Sequence, residues 1–166
     1  MNKISLALAS SLIAGLMAAG PAAAQSTGYG PSWAGASIGS TDYGTGLKVY
    51  LGGKLHPIFG WEAQAVSFGS EDYAPGRKHS AFSVGGSGIA RFALNSQFTA
   101  FGKAGLHYLR TKHSGPGGSN SDSDLELGLG AGMWFNITHT TALRLEYENI
   151  GGGDGDFFSI GLQVSF

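Results

Sequence analysis

Apolar residues occupy every second position near the end of the chain. Phe158, Ile160, Leu162, Val164 and Phe166 are apolar, and the residues between them are small or polar. A β-strand sends alternate side chains to opposite faces, so this pattern predicts a strand with one apolar face. That face reaches the final phenylalanine. Because the terminal residues of soluble domains usually fray in water, the pattern favours a last strand that closes a membrane barrel.

Seven further segments show strand-like alternation. Together with the last strand, the predicted strands span residues 33–40, 45–55, 58–68, 80–94, 98–112, 125–135, 140–150 and 156–166. Eight alternating segments predict an all-β fold, an eight-stranded antiparallel up-and-down transmembrane β-barrel. The alternation weakens at 66–68, which predicts a bulge or a strand end there.

The breaks between the predicted strands fall into two groups. Short breaks predict periplasmic turns, and longer polar breaks predict loops on the outer side of the membrane. The short breaks are 56–57, 95–97 and 136–139, and the others, most of them longer, are 41–44, 69–79, 113–124 and 151–155.

Composition helps to choose between a membrane barrel and a soluble one. Glycine accounts for 29 of the 166 residues, and charged residues are only 13% of the chain, against about a quarter in typical domains. A soluble lipocalin-type barrel would carry its charges outside. Here the charged positions share one strand face with glycines, which suit a crowded interior, so the membrane barrel is favoured. A glycine-rich disordered chain is disfavoured because the apolar residues are periodic.

The first residues have the features of a secretory signal peptide. Lys3 precedes an apolar run over 4–19, and three alanines at 22–24 form a cleavage site. A membrane anchor is the alternative, but the run is short and glycine and proline interrupt it. The sequence therefore predicts a cleaved signal peptide over 1–24, an outer-membrane barrel domain over 25–166, and export to the cell outer membrane.

Charged residues on the predicted inner face are balanced, with four bases and four acids. Buried charges must be paired, and a small barrel leaves little room for water. The pattern therefore favours a lumen plugged by salt bridges over a polar pathway for ions, with Glu62 and Arg144 as one central pair. The predicted network consists of Lys48, Glu62, Arg91, Lys103, Glu126, Arg144, Glu146 and Glu148.

Other chemistry finds little support in the residues. There is no cysteine, and the net charge of −1 gives no basic field for nucleic acid. The histidines lack the spacing of a zinc site, and the acidic segment 119–124 lacks the glycine and final glutamate of an EF-hand. Glu146 and Glu148 lie two residues apart and could form a glycosidase-like pair, although nearby bases favour the lumen network. We expect no cofactor, no metal and no enzymatic activity.

Several segments carry a family resemblance. LHPIFGWE at 55–62, AGL at 104–106, LRLEY at 143–147 and the final Phe166 resemble the OmpA-like transmembrane domain of Gram-negative bacteria. The resemblance implies an eight-stranded outer-membrane barrel whose lumen is filled by ion pairs. Family members often have an acidic residue on the sixth strand where this chain has Trp134, a departure for which Glu126 could compensate.

The resemblance also implies how the barrel is assembled. The barrel-insertion machinery reads the last strand and its aromatic end, so the implied insertion signal is Phe158, Ile160, Leu162, Val164 and Phe166. Some eight-stranded outer-membrane barrels remodel lipid A, using a His-x-Ser pair and a glutamate. The His-Ser pairs of this chain, at 79–80 and 113–114, are directly adjacent and do not match that spacing.

These observations predict a structural outer-membrane barrel that contacts outer-membrane lipid and lipopolysaccharide and contributes to envelope integrity. A loop-mediated adhesin and a narrow pore are the alternatives. For an adhesin with an unknown extracellular ligand, Tyr73 and Arg77 are the candidate contact residues, because tyrosine and arginine are enriched at binding hot spots.

Overall fold

The computed structural model describes residues 32–74, 77–115, 118–152 and 155–166. Within these ranges, the side chains at 71–74, 77, 78, 113, 115 and 119 are not described. The predicted signal peptide over 1–24 lies outside the described residues. No helix in the described part of the chain is long and apolar enough to span a membrane.

Eight antiparallel strands form a closed barrel in which each strand pairs with its neighbours in sequence and the last pairs with the first. This confirms the predicted eight-stranded antiparallel up-and-down barrel. The strands are β1 (Ser32–Thr41), β2 (Gly44–Lys54), β3 (Phe59–Ala74), β4 (Arg77–Ala93), β5 (Phe98–Gly115), β6 (Gly118–Asn136), β7 (Thr141–Ile150) and β8 (Asp156–Ser165).

Tight turns join the strands at one end of the barrel, which we call the turn end. The β2–β3 turn contains a proline and is held by hydrogen bonds from the amides of Leu55 and His56 to the carbonyl of Phe59. In the β4–β5 turn the Asn95 Oδ1 accepts two backbone N–H groups, and in the β6–β7 turn the Thr138 Oγ1 does the same. These side-chain oxygens accept hydrogen bonds as a backbone carbonyl does in a turn, which explains why Asn and Thr occur just after the strand ends here.

The opposite end, which we call the hairpin end, differs from the prediction. Residues 69–79 and 113–124 were expected to be loops, but β3 pairs with β4 as far as Ala74 and Arg77. Likewise, β5 pairs with β6 as far as Gly115 and Gly118. Polar residues occupy both odd and even positions of these segments and so remove the alternation signal from the sequence, whereas the backbone ladder needs no apolar side chain to form. The predicted bulge is confirmed, since the β3–β4 register shifts between Ser67 and Gly69.

Alternate side chains face the two sides of the wall as the sequence predicts. The outer face is apolar and includes exposed side chains of Ile38, Leu51, Leu106, Leu129, Leu145 and Ile160. The inner face carries buried charges, among them Lys48, Glu62 and Arg144. A soluble barrel would have the opposite arrangement.

The seam between β1 and β8 closes the barrel and depends on close approach at Gly161. A Cβ atom at this position would collide with the carbonyl oxygen of Ala36 and with the Ser37 Oγ on the paired strand. Gly86 provides a contrast, because a Cβ there would point outward and meet its nearest atom at 3.9 Å.

We therefore expect Gly161→Ala to destabilise the folded barrel by about 1–3 kcal/mol through overpacking at the seam. Closed barrels resist SDS until heated because their backbone hydrogen bonds are internal. The measurement is the temperature at which the fast-migrating unboiled form converts to the slow form on SDS gels. Gly86→Ala is the matched control and should convert at the wild-type temperature. Equal conversion temperatures for the two variants would contradict a tight seam.

Candidate functional site

The lumen is filled by three layers of side chains along the barrel axis. An apolar layer lies toward the hairpin end, and we call it the hairpin-end cluster: Tyr43, Val66, Phe68, Ala81, Leu109, Ile150 and Phe157. A second layer lies toward the turn end, and we call it the aromatic cluster: Trp33, Tyr50, Ile89, Phe101, Trp134 and Ala142. Between them lies the charged cluster: Lys48, Glu62, Lys103, Arg144, Glu146 and Glu148.

Arg144 on β7 is at the centre of the charged cluster. Its Nη1 and Nη2 donate to the two carboxylate oxygens of Glu62 at 2.6 and 2.9 Å. Its Nε donates to Glu146 at 2.9 Å. The guanidinium also lies 4.2 Å from the ring centroid of Tyr50 and 4.5 Å from that of Phe101. A planar guanidinium suits this site because it can bind one carboxylate with two parallel bonds and stack on aromatic faces at the same time.

Two lysines complete the pairing of the acids. Lys103 on β5 lies 2.6 Å from Glu146 and 2.8 Å from Glu148. Lys48 on β2 pairs with Glu146 and lies 3.4 Å from Glu148. Gln64 joins the two charge types, because its amide nitrogen donates to Glu148 at 2.6 Å while its oxygen accepts from Lys103.

The charged cluster is neutral and almost dry. Its three cations and three carboxylates have side chains that are at most 1% exposed. Removing such charges from water costs several kcal/mol for each ion, and the cost is recovered only where pairing is complete. Interdependence of this kind makes each member sensitive to the loss of any other.

His107 lies beside the charged cluster, next to a serine. Its Nε2 is 3.3 Å from the Ser87 Oγ and 3.9 Å from Glu148. A catalytic relay needs the acid on the ring nitrogen opposite the serine, whereas here the same nitrogen faces both groups. His107 is also completely buried. This geometry makes the trio part of the packed lumen. Across the described residues, no group of three His, Asp or Glu side chains is arranged to hold a metal ion.

The structure brings six of the eight predicted network residues together and places Arg91 and Glu126 elsewhere. Arg91 lies toward the turn end, where its guanidinium packs over the rings of Trp33 and Trp134. Glu126 lies beside Gly151 and Leu109 at the hairpin end. Neither forms an ion pair with another described residue, so their inclusion in the network was wrong. Strand parity gives the face of a residue but not its height along the axis, and Arg91 lies at the level of the aromatic cluster.

Inward aromatic residues were the main omission of the sequence reasoning. Trp33, Phe68, Phe101 and Phe157 all point into the lumen and are at most 3% exposed. The signal was available for two of them, because Phe68 shares strand parity with Glu62 on β3 and Phe101 shares it with Lys103 on β5. In β3, inward residues change from Glu62 and Gln64 to Val66 and Phe68, which is why the apolar alternation reverses there.

The predicted surface-contact residues and the predicted insertion signal lie apart from the lumen. Tyr73 and Arg77 belong to β3 and β4 near the hairpin end, but their side chains lie outside the described part. In the insertion signal, Phe158, Ile160 and Leu162 are exposed on the outer face of β8, and Val164 and Phe166 are partly buried.

Comparison with known proteins identifies the family. The profile of the outer membrane protein beta-barrel domain family matches residues 5–166. The chain belongs to this family. A comparison with curated proteins gave no match.

Solved structures show the same fold. The barrel resembles Neisserial surface protein A (NspA) with a TM-score of 0.63 and 17% identity, covering 82% of this chain and 96% of that one. The N-terminal β-barrel domain of Pseudomonas aeruginosa OprF gives a TM-score of 0.69 and 12% identity over 84% and 100%. Ail, the attachment invasion locus protein of Yersinia pestis, gives a TM-score of 0.57 and 18% identity, covering 83% of this chain and 99% of that one.

Family membership decides the environment of the two faces. The outer-membrane β-barrel places its apolar exterior in lipid, and the charged cluster is its packed interior. The resemblance to the OmpA-like transmembrane domain, drawn from short motifs, is therefore confirmed at the level of family and fold.

We expect Arg144→Ala to lower the unfolding midpoint of the outer-membrane β-barrel, because it leaves Glu62 buried without its partner. The free energy of unfolding should fall by about 3–5 kcal/mol at most. Urea titration of the protein in detergent, followed by tryptophan fluorescence, measures it. The matched control is Arg110→Ala, an exposed arginine on β5, whose replacement should change stability by only about 0.5 kcal/mol. Equal midpoints for Arg144→Ala and wild type would contradict the central role of this arginine.

Proposed function

We propose that this protein is a structural outer-membrane barrel with a sealed lumen that contributes to envelope integrity. The observation that carries the proposal is the charged cluster enclosed between two apolar layers. Eight-stranded barrels have interiors just wide enough for side chains to fill. An ion crossing this lumen would have to pass both apolar layers and, between them, displace the paired charges of the charged cluster.

The exterior supports a passive role in the lipid bilayer. Exposed apolar side chains cover the outer wall over strands of 10 and 11 residues in β1, β2, β7 and β8, close to the 9–11 residues that span a membrane. Arg110 is exposed on β5 toward the hairpin end, where its charge would reach the anionic groups of lipopolysaccharide. Outer-membrane lipid and lipopolysaccharide are thus the proposed permanent partners.

Biogenesis involves a further proposed partner, the barrel-insertion machinery. The backbone of β8 pairs with β1 along almost its whole length, from Phe157 opposite Thr41 to Ser165 opposite Trp33. Recognition of the last strand before closure would keep this edge from pairing with another chain. Export through cleavage after residue 24 belongs to the same proposal.

A sealed lumen should not conduct. In planar bilayers at moderate voltage, we expect the folded protein to show no stable ohmic steps. A wide porin inserted in the same bilayer provides the positive control, and a heat-dependent SDS shift of the recovered sample establishes that the barrel was folded. Reproducible steps that scale with salt concentration would overturn the sealed lumen and favour the narrow pore.

Adhesion is the second candidate, and the long hairpins favour it. Strands β3 to β6 have 16, 17, 18 and 19 residues, so each is at least five residues longer than the 11-residue β2. The surplus extends both hairpins beyond the length needed to cross lipid. Tyr73 and Arg77 belong to one of these hairpins, and one similar structure is that of an attachment invasion locus protein.

Replacing residues 70–79 with a two-residue turn separates the two candidates. A structural barrel should keep its SDS resistance and should restore detergent resistance to a strain that lacks the gene as fully as wild type does. An adhesin should lose most binding to host cells or matrix. The control replaces the exposed turn 94–97 at the turn end with another short turn. Unchanged adhesion after the hairpin replacement would rule out a role of this hairpin in adhesion. If the variant failed to restore detergent resistance, a structural role carried by the barrel without this hairpin would be contradicted.

A further inference from the structure

A cavity opens at the turn end of the barrel, below the aromatic cluster. It has a volume of about 380 Å³, and Trp33, Arg91 and Trp134 line it on the inner side. Its rim is formed by exposed residues of the turns, including Ser96 and His139. The cavity is therefore open to the solvent at that end. We call it the turn-end cavity.

Arg91 is a buried cation for which the described residues provide no counter-charge. The residue is 8% exposed. Its guanidinium carbon lies 5.3 Å from the ring centroid of Trp33 and 5.7 Å from that of Trp134. Its Nη2 makes only long hydrogen bonds, of 3.5 and 3.4 Å, to the carbonyls of His56 and Pro57. Its Nε is buried and has no hydrogen-bond partner among the described residues.

Other polar groups around the cavity are also unsatisfied. The indole Nε1 of Trp134 is a buried donor without a described partner. The side chain of Gln163 is 4% exposed, and its Oε1 has none either. The Gln163 amide can be rotated by half a turn, which places its NH₂ group at the position of the Oε1. A buried donor without a partner costs about 1–3 kcal/mol, and more when it is charged. Arg91 and Trp134 each place such a donor beside this cavity, which favours a ligand with acceptor oxygens.

The charge of the lining has one sign. Lys54 is a second cation in the wall, and no Asp or Glu is among the lining residues. Glu62, which accepts a hydrogen bond from the lining residue Trp33, is already bound by Arg144 through both oxygens. A cavity with two cations, free donors and aromatic walls is complementary to an anion with several acceptor oxygens.

We propose that the turn-end cavity binds a small oxyanion, a phosphate or carboxylate group that accepts hydrogen bonds from Arg91 and Trp134 while Lys54 balances its charge. In outer-membrane barrels the end with short turns faces the periplasm, so the ligand would come from that compartment. This site is separate from the sealed lumen, because the aromatic cluster lies between the cavity and the charged cluster.

The three tryptophans provide a direct probe of binding. In ¹⁵N-labelled protein folded in micelles, their indole groups should give three cross-peaks, assigned by Trp→Phe variants. Sodium phosphate, titrated against sodium chloride at equal ionic strength, should shift the Trp134 peak saturably. Trp33 donates to Glu62 at 3.2 Å and should shift less. Trp61 is exposed on the outer wall and should not shift. Three equal or linear responses would overturn the proposal.

Variants connect the shift to the cavity. Arg91→Gln should weaken phosphate binding about tenfold or more, since it removes a charged donor. Lys112→Gln, which changes an exposed lysine on β5, is the matched control for the loss of one positive charge and should bind like wild type. The heat-dependent SDS shift establishes folding. If Arg91→Gln does not fold, Lys54→Gln carries the test, because that side chain is only half-buried. Unchanged affinity in the folded variant would overturn the assignment.

Parallel titrations identify the source of the anionic group. Inorganic phosphate, glycerol phosphate and acetate share the proposed chemistry but differ in size and charge. Saturable binding of glycerol phosphate as tight as that of phosphate would indicate a phosphate ester that enters with its substituent toward the rim. Preference for acetate would indicate a carboxylate ligand. Absence of saturable binding by all three would overturn the proposal.

Discussion

The interior of this barrel depends on the complete pairing of its buried charges. Arg144 binds Glu62 and Glu146 together, and the two lysines neutralise the remaining carboxylate charge. The strands that supply these residues, β2, β3, β5 and β7, lie at different points around the wall. Moving any one member away would leave its partner as an unpaired charge in a dry environment. The charged cluster therefore also holds distant strands at fixed positions relative to each other.

Space for this cluster comes from glycine on the lumen wall. A Cβ at Gly130 would lie 2.9 Å from the Lys103 side chain, and one at Gly132 would lie 2.5 Å from the Phe101 ring. These two pairs face each other directly across β5 and β6. Small residues opposite large ones allow a narrow barrel to interdigitate its interior side chains. The high glycine content is therefore a packing requirement of the charged and aromatic layers as well as a feature of turns.

The sequence was sufficient for the fold because lipid imposes a strict rule on each strand. One face must be apolar and every backbone group must be paired, so alternation predicts the strands and their orientation. The same rule is absent outside the membrane, and there the prediction failed, because residues 69–74 and 77–79 form paired strands instead of a loop. Within the lumen, parity identified inward residues such as Glu62 and Arg144. It could not give their height, because the stagger between strands is a property of the closed barrel.

Two inward arginines show why height decides the role of a side chain. Arg144 and Arg91 both lie on lumen-facing positions, and both pack against the ring of Trp134. Arg144 lies level with three carboxylates and is fully paired, so it contributes to a closed interior. Arg91 lies at the level of the aromatic cluster, beside an open cavity and without an acid. A cation with aromatic walls and no acidic partner among the described residues has its charge available for a ligand, whereas a paired cation does not. The same residue type thus serves structure in one layer and is positioned for binding in the next.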